Sequence, residues 1–177
     1  VMEDAAAILK YIDTQKEDRF EYVVQKYLER PFLIHGRKFD IRTWVVVGPD
    51  YDVWLWRDGV FRTSSEPYNP DDLDDELSHI TNHCVQEHGP NFSKFEEGNE
   101  MWYHQFQAYL DQYHPGLNFR KQCVPVMKSI INASFQAIKS QVTHSVRSVE
   151  AEMLCYQAFG FDFMLDEDFR TWLIEIN

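Results

Sequence analysis

The spacing of apolar residues divides the chain into helices and strands. Residues 2–15 carry apolar side chains at helical spacing, and residues 99–110 and 124–143 also look helical. β-branched and aromatic runs predict strands over residues 21–28, 39–47, 52–56 and 60–63, with tight turns at residues 48–50 and 58–59. Two further apolar segments, 159–165 and 169–176, flank an acidic turn and predict a hairpin. This mixture predicts an α+β fold with a mainly antiparallel sheet packed with helices.

A polar, turn-rich excursion over residues 64–97 interrupts this pattern. It contains Pro67, Pro70, Gly89 and Pro90 and shows little regular periodicity. Long irregular segments in compact domains usually carry function, so we expect this excursion to contribute to a site.

Composition narrows the classes of function. The 29 acidic residues outnumber 17 Lys and Arg, giving a net charge of −12, which argues against general nucleic-acid binding. Residues 26–62 nevertheless carry a net charge of +2, whereas residues 63–111 carry −10. A local basic pocket for an anion would explain this island, although a solvated surface would produce it as well.

The sequence also argues against membrane and secreted classes. It contains no run near the roughly 18 apolar residues of a membrane span, and acids stand at its start, where a signal peptide needs bases. Three cysteines, Cys84, Cys123 and Cys155, form no CxxC pair, which is typical of a reducing compartment.

The last hairpin holds a candidate metal site. Glu175 and Asn177 are two apart and share a strand face, and a tight hairpin would bring Asp162 opposite them. Two carboxylates and an amide carbonyl are hard oxygen ligands of the kind that Mg²⁺ takes. The alternative is that Asp162 satisfies a turn and Glu175 faces solvent.

A second candidate is an anion-binding strand. Lys38, Asp40 and Arg42 alternate and so project from one face, where two cations oriented by Asp40 could hold phosphate oxygens. Arg62, on the neighbouring strand, could join them. An exposed face of surface ion pairs would explain the same pattern.

Two weaker motifs involve backbone and polar side chains. Residues 25–28, Gln25-Lys26-Tyr27-Leu28, could present a strand end to a purine edge, although an ordinary sheet edge is the alternative. Thr81 and Asn82 could donate hydrogen bonds to an anion. Cysteine–histidine catalysis at residues 83–84 is rejected because neighbours on an extended segment point apart. A zinc site at residues 79, 83 and 88 is rejected because no fourth ligand is obvious.

The motifs resemble, in order, the tubulin–tyrosine ligase family. The runs are VQKYLERP, RKFDIRTW, RTSSEPYN, ITNHC, KFEEGNEM, FGFDFM and WLIEIN, from about residue 21 to residue 177. The resemblance implies an ATP-grasp fold, in which two α+β lobes hold ATP. The whole chain, 1–177, is then part of an ATP-grasp catalytic domain, the C-terminal lobe and part of the central lobe. Because the family's N-terminal lobe has no counterpart here and the chain stops at a strand, we expect an incomplete piece, inactive alone.

The resemblance also implies roles for individual residues. Catalytic groups facing phosphate or the reacting carboxylate would be Arg62, Lys38 and Arg42. The metal ligands would be Asp162, Glu175 and Asn177, and the groups around ATP would be Gln25, Lys26, Tyr27, Leu28, Lys38, Asp40, Thr81 and Asn82.

The implied reaction is ATP- and Mg²⁺-dependent ligation of a free amino acid, with tyrosine favoured, to the acidic C-terminal tail of tubulin or microtubules. Nucleic-acid and membrane partners are not expected. The expected location is the cytoplasm and cytoskeleton, with the cilium included. Alternatives are a glutamate- or glycine-adding family member, a non-catalytic microtubule-associated module, and an ATP-grasp enzyme acting on a small metabolite.

Overall fold

A computed structural model describes residues 1–2, 4–14, 22–146 and 156–177 of the 177-residue chain. Its centre is a five-stranded sheet whose neighbouring strands all run antiparallel. The strands are β1 (Arg37–Val47), β2 (Val53–Pro67), β3 (Glu100–Trp102), β4 (Gln157–Leu165) and β5 (Thr171–Ile176). Their order across the sheet is β3-β2-β1-β4-β5, so β1 lies at the centre, between its hairpin partner β2 and the sequence-distant β4.

Six α-helices accompany the sheet in the described part of the chain. They are α1 (Ala5–Thr14), α2 (Glu76–His79), α3 (His83–Gln86), α4 (Tyr103–Tyr113), α5 (Phe119–Gln122) and α6 (Val124–Val146), with a 3₁₀ turn at Glu97–Asn99. None of the described helices has the length and apolar character needed to cross a bilayer. The predicted α+β class with a mainly antiparallel sheet is therefore confirmed.

One face of the sheet forms the hydrophobic core. Alternation along the strands turns Phe39 and Ile41 of β1 and Phe61 of β2 to this face, where α4, α5 and α6 cover them. Phe61 and Phe106 stack with ring centroids 4.0 Å apart. Because burial of each large apolar side chain contributes roughly 1.5–3 kcal/mol, this layer anchors the sheet and leaves its opposite face free for polar groups.

Several predicted elements are confirmed. The strand over residues 39–47 lies within β1, the turn follows at residues 49–50, and the hairpin of β4 and β5 matches the two apolar segments. The helix over residues 124–143 lies within α6, and residues 5–14 of the first predicted helix form α1. These elements have strong local periodicity, which explains why the pattern located them.

The predicted tight turn at Asp58-Gly59 is wrong. Residues 53–67 form one continuous strand, and a register irregularity against β1 absorbs the extra residues before Gly59. A Cβ at Gly59 would lie 2.7 Å from both the Arg42 carbonyl oxygen and the Tyr103 hydroxyl. The glycine therefore permits a close approach of packed groups instead of marking a reversal.

The predicted strand over residues 21–28 is also wrong for the part that the structure describes, since residues 22–28 have no regular secondary structure. The Gln25 side chain, and not a backbone ladder, contacts β5, with Nε2 donating to the Ile174 carbonyl at 3.2 Å. The register of β5 shifts beside Ile174, and such a bulge interrupts the regular edge that another strand would need.

Two other boundaries differ from the sequence prediction. The helix expected over residues 99–110 begins at Tyr103, because residues 100–102 pair with β2 as β3. The excursion over residues 64–97 begins as the end of β2 and also contains α2 and α3. Both short helices pack against β2, which brings the excursion to the sheet.

Candidate active site

The polar face of the sheet centres on β1. Lys38, Asp40 and Arg42 project from this face and Phe39 and Ile41 from the core face, as alternation predicts. Asp40 pairs with Arg62 of β2, and Arg42 pairs with Asp162 of β4. Residues from three adjacent strands therefore meet at one place on the sheet.

An ionic centre forms where these strands meet. Arg42 holds Asp162 through two N–H groups, Nε to Oδ1 and Nη2 to Oδ2, the latter at 2.8 Å. Arg62 bridges two carboxylates, since its Nε lies 2.7 Å from Asp40 Oδ1 and its Nη2 lies 3.1 Å from Asp162 Oδ2. Two guanidinium groups and two carboxylates thus compensate one another in a largely buried position.

Asp40 orients a different cation from those expected. The sequence suggests that it orients Lys38 and Arg42, but its carboxylate accepts from Arg62 Nε and from the Thr81 hydroxyl. Lys38 points away into a cleft, and Arg42 is occupied by Asp162. That expectation is therefore wrong in its pairing, because cross-strand neighbours compete with same-strand neighbours two residues away.

Burial and charge act in opposite directions on the two carboxylates. Burial raises the pKa of Asp40, although the hydrogen bond and charge of Arg62 oppose that rise. Burial also acts to raise the pKa of Asp162, but the Arg42 hydrogen bond and the charges of Arg62 and Arg42 outweigh it, so its pKa is lowered. Asp162 is therefore the carboxylate held ionised beside the guanidinium groups.

Gly160 makes room for one of these guanidinium groups. It faces the site two residues before Asp162 on β4, and a Cβ there would lie 3.2 Å from Arg42 Nη1. The absence of a side chain lets the Arg42 side chain lie flat across β4 and reach Asp162 with two N–H groups.

The predicted metal ligands converge at the β4–β5 hairpin. Asp162 lies opposite Glu175, and Asn177 exchanges both backbone hydrogen bonds with Gly160 at 2.8 Å. The Asn177 amide nitrogen lies 3.4 Å from Asp162 Oδ2 and 3.2 Å from Glu175 Oε1. The predicted register is therefore confirmed, and the three side chains share one face.

The oxygen set fits a divalent cation by its chemistry. Glu175 is exposed, and Asp162 Oδ1 accepts from Arg42 Nε, which leaves a carboxylate oxygen further acceptor capacity. Rotation of the Asn177 amide by half a turn would exchange its nitrogen for its oxygen beside the two carboxylates. The described residues contain no group of three or more His, Cys, Asp or Glu suited to a metal, so a cation here would draw on the amide and on a substrate anion.

A cleft of about 630 Å³ opens beside this centre. One wall is the irregular segment that contains Gln25, Lys26, Tyr27 and Leu28, and the other includes Met164 and Trp172 of the hairpin. Its volume lies in the range of small-molecule sites. Because Met164 follows Asp162 by two residues on the same face, the cleft begins about 7 Å along β4 from the ionic centre.

The remaining predicted residues have distinct positions. Lys38 also lines the cleft, and Thr81 contacts Asp40 at the ionic centre. The Asn82 side chain instead caps α3, where Oδ1 accepts from the Cys84 backbone N–H at 2.9 Å. Of the predicted nucleotide residues, Asn82 is thus the one whose side chain is committed to local helix structure.

Several residues at the cleft were not predicted from the sequence. His79 contacts both Tyr27 and Lys38, whereas its spacing in the sequence suggested only a zinc ligand, which was rejected. Met164 and Trp172 form a cross-strand pair in the cleft wall. The position of Met164 two residues after Asp162 was a usable signal, whereas Trp172 reaches this face through the bulge at Ile174.

Asp166 fixes the hairpin turn, and its removal should destabilise the fold. Its carboxylate accepts from the Arg170 backbone N–H at 2.8 Å and from Trp172 Nε1 at 2.9 Å. We expect Asp166→Ala to lower the free energy of unfolding by about 1–3 kcal/mol, because the part-buried hydrogen bonds from the turn backbone and the Trp172 indole lose their charged acceptor. Asp168→Ala is the control, since the exposed side chain of Asp168 forms a surface ion pair with Arg170, and such pairs contribute little to stability. Equal thermal unfolding midpoints for the two variants would contradict this role.

The Asp166 carboxylate should also make the free energy of unfolding depend on pH. Hydrogen bonds from Trp172 and the turn backbone outweigh burial and lower the pKa of Asp166 below its value in the unfolded chain. Its stabilising contribution is therefore present above the unfolded pKa and is lost as pH falls through the folded pKa. The difference in stability between wild type and Asp166→Ala should shrink in acid, as measured by urea unfolding at a series of pH values.

The buried ammonium group of Lys38 should lower the free energy of unfolding. Burial lowers its pKa from 10.5 to about 8, although Asp40 opposes this shift. That change corresponds to about 3 kcal/mol against the charged form. Removal of the ammonium also forfeits two hydrogen bonds worth about 1 kcal/mol each. We expect Lys38→Met to raise the free energy of unfolding at pH 7 by about 1–2 kcal/mol, measured by urea unfolding.

The pH dependence distinguishes this cause from better packing. Below pH 8 both the folded and unfolded chains carry the ammonium, so the full penalty applies to the wild type. Between pH 8 and 10.5 the unfolded chain binds more protons than the folded chain. The free energy of unfolding of the wild type should therefore rise relative to that of Lys38→Met in this range. A gain for Lys38→Met that is constant across that range would contradict the proposed cause.

The fold and the site together define the structural class of the protein, independently of its relatives. The class is an α+β lobe that presents a nucleotide-sized cleft beside an ionic centre and a hard-oxygen set, all on one sheet face. The model of the tubulin-tyrosine ligase family matches residues 1–177, and the chain belongs to this family. The ATP-grasp-like fold predicted from the resemblance is therefore confirmed, as is the family itself.

Individual relatives carry two kinds of named activity. Probable tubulin polyglutamylase TTLL9 of Mus musculus is 32% identical over 169 residues, covering 93% of this chain and 35% of the relative. Tubulin monoglycylase TTLL3 of Homo sapiens is 35% identical over 164 residues, covering 89% and 20%. Tubulin polyglutamylase ttll-4 of Caenorhabditis briggsae is 33% identical over 161 residues, covering 88% and 26%. The chain thus spans about a third or less of each of these relatives.

Proposed function

We propose that this chain forms part of an ATP-dependent ligase that joins an amino acid to a carboxylate of tubulin. The proposal depends on the contact of Arg62 with two carboxylates, those of Asp40 and Asp162. Glu175 and Asn177 converge beside this contact. The cations of this arrangement would counter the repulsion between two anions that have to approach each other. Family membership and the names of the tubulin-modifying relatives support the same reading.

The proposed reaction proceeds in two balanced steps. A carboxylate oxygen of the acceptor attacks the γ-phosphorus of ATP, and the bond between this phosphorus and the bridging oxygen breaks. ADP departs, and the acceptor carboxylate becomes an acylphosphate. The amine of the amino acid then attacks the acyl carbon, phosphate leaves, a proton is released, and an amide bond forms. Both steps bring like charges together, so positioning and electrostatic stabilisation supply most of the rate.

The residues of the chain divide this work by position. Arg62 and Arg42 each keep N–H groups beyond those engaged by Asp40 and Asp162, and these would hold the acceptor carboxylate and the γ-phosphate. Lys38 would face the phosphates from the cleft, and the segment containing Gln25, Lys26, Tyr27 and Leu28 would surround the base, with Asp40 and Thr81 between them. Asn82 follows Thr81 directly and would therefore lie next to the nucleotide, although its side chain caps α3.

Mg²⁺ would be held by Asp162, Glu175 and Asn177. When bound, it would neutralise charge on the phosphate oxygens. Two carboxylates and an amide leave coordination positions for water and phosphate, which suits a substrate-bridging Mg²⁺.

The amino acid is the least constrained part of the proposal. The resemblance of single motifs favours tyrosine, but the named relatives are polyglutamylases and glycylases. We therefore place glutamate and glycine ahead of tyrosine as the added residue. The acidic tubulin tail would dock at the net-positive segment of residues 26–62, since the net charge of −12 repels it at long range. This substrate would place the protein at the cytoskeleton in the cytoplasm and cilium.

One assay tests the proposal directly. The full-length protein is incubated with tubulin, ATP, Mg²⁺ and labelled glutamate, glycine or tyrosine, and the label on tubulin is measured. Incorporation of one amino acid that requires ATP supports the proposal and names the substrate. Microtubule binding without incorporation would indicate a non-catalytic module. ATP turnover with a small metabolite, and not with tubulin, would indicate a different ATP-grasp ligase.

A further inference from the structure

The ammonium group of Lys38 is held from outside the sheet. Its Nζ donates to the Tyr27 hydroxyl at 2.9 Å and to the His79 carbonyl oxygen at 2.7 Å. Nζ also lies 4.6 Å from the centroid of the Tyr27 ring. Two separate segments, the irregular cleft wall and α2, therefore meet at one cation.

The His79 ring fixes the direction of this hydrogen-bond chain. Its Nε2 lies 2.9 Å from the Asp72 carbonyl oxygen, which can only accept, so Nε2 carries the proton. In the neutral ring Nδ1 is then an acceptor, and the Tyr27 hydroxyl donates to it at 2.7 Å. The lone pairs of the Tyr27 oxygen consequently face Lys38.

Each proton in this chain has an assigned place. Lys38 donates to Tyr27, Tyr27 donates to His79, and His79 donates to the backbone of Asp72 in the acidic excursion. Burial, the charge of Tyr68 and a hydrogen bond with the Tyr68 hydroxyl raise the pKa of Tyr27, which keeps the Tyr27 hydroxyl protonated and able to donate. The chain therefore points acceptors at the ammonium from one side.

The remaining side of the ammonium opens to the cleft. Two of the three N–H groups are engaged, and among the described residues no acceptor is recorded for the third. Lys38 lines the cleft together with Tyr27. A free lysine side chain has many rotamers, so fixing two of its donors lowers the entropy lost on binding and prepares the third donor to meet an anion.

We propose that Tyr27 and His79 are positioning residues that aim the Lys38 ammonium at the phosphates of ATP. This proposal rests on the proposed function, because ATP is the anion that it assigns to the cleft. It gives Tyr27 a role other than contact with the base, and it gives His79 a role that acts through another residue. The acidic excursion then takes part in the site through a backbone carbonyl, and not through its charges.

The test compares effects with and without Lys38. ATP affinity of the full-length protein is measured by calorimetry in the presence of Mg²⁺. Tyr27→Phe and His79→Leu should each weaken binding about 5- to 30-fold, equivalent to the loss of one or two ordinary hydrogen bonds. In a Lys38→Met background, neither substitution should weaken binding further, because both act through the ammonium. A role limited to tethering the cleft wall would weaken binding equally in both backgrounds and would overturn the proposal.

Conservative variants separate positioning from folding. His79→Asn keeps an acceptor close to the place of Nδ1 and should restore ATP affinity to within about 3-fold of wild type. Tyr51→Phe is the matched control, since its hydroxyl donates to the Phe135 carbonyl at 2.6 Å on the core side, away from the cleft. Unchanged affinity in both Tyr27→Phe and His79→Leu would also overturn the proposal.

Two outcomes distinguish this proposal from the proposed function. If the wild type binds ATP with the expected dependence on Tyr27 and His79 but ligates no amino acid, the positioning role stands and the ligase assignment falls. If the wild type does not bind ATP, both fall. Ligation that is normal while Tyr27→Phe and His79→Leu bind ATP like wild type would remove the positioning role alone.

Discussion

Replacement of Glu175 by Gln should reduce ligation by about 100- to 1,000-fold without unfolding the protein. The change removes one anionic oxygen from a set that would hold a divalent cation, whose stabilisation of developing charge is worth several kcal/mol. Glu175 is exposed, and its side chain interacts with its neighbours Asn177 and Asp162 on the same sheet face, so the fold should tolerate the amide. Label incorporation into tubulin over a range of Mg²⁺ concentrations provides the measurement.

Asp162→Asn should behave differently in one respect. It should lose ligation to a similar extent, but it also removes the charge that Arg42 and Arg62 both contact. Breaking a buried ion pair by removing one partner costs about 3 kcal/mol or more, so its thermal midpoint should fall while that of Glu175→Gln stays close to wild type. Asp50→Asn, at an exposed turn, is the control for loss of a carboxylate. Near-normal ligation by Glu175→Gln at ordinary Mg²⁺ would count heavily against the metal assignment.

Substitution of Arg62 should separate acylphosphate formation from ATP binding. Arg62→Ala leaves Asp40 buried without its guanidinium partner, so we expect about 3 kcal/mol of lost stability with this variant. Arg62→Lys keeps the charge but cannot bridge Asp40 and Asp162, because an ammonium lacks the planar fork. We expect Arg62→Lys to slow acylphosphate formation about 100-fold or more, as for the loss of one preorganised donor.

The two steps can be measured independently. ATP affinity is measured by calorimetry, and acylphosphate is trapped with hydroxylamine in the absence of the amino acid. ATP affinity should change much less than trapping, because Lys38 and the cleft remain intact. Arg57→Lys, an exposed position on the same strand, is the control. Equal losses of ATP affinity and trapped product would contradict a role for Arg62 at the reacting carboxylate.

Part of the site was accessible from local pattern. The shared face of Lys38, Asp40 and Arg42 follows from alternation, and the convergence of Asp162 with Glu175 follows from a hairpin closed by a short acidic turn. Each of these conclusions needs only neighbours in sequence. The same holds for the strong periodicity of α6.

Other features depend on partners far apart in the chain. Arg42 and Asp162 are 120 residues apart, and Lys38 and His79 are 41 apart. The spacing of residues along the sequence therefore could not predict that they are in contact. Which cation Asp40 orients was decided by cross-strand contact with Arg62. The irregular conformation of residues 22–28 reflects an edge that offers no regular ladder.

By itself, the sequence determined the α+β class, the alternation that puts charge on one face of β1, and the hairpin register at the predicted metal ligands. These depend on periods of two and 3.6 residues, which side-chain geometry imposes locally. Tertiary structure alone decided that Gly59 is a packing contact, that Arg62 bridges two carboxylates, and that His79 faces Tyr27. Burial and hydrogen bonding between distant segments select those contacts, and no local pattern encodes them.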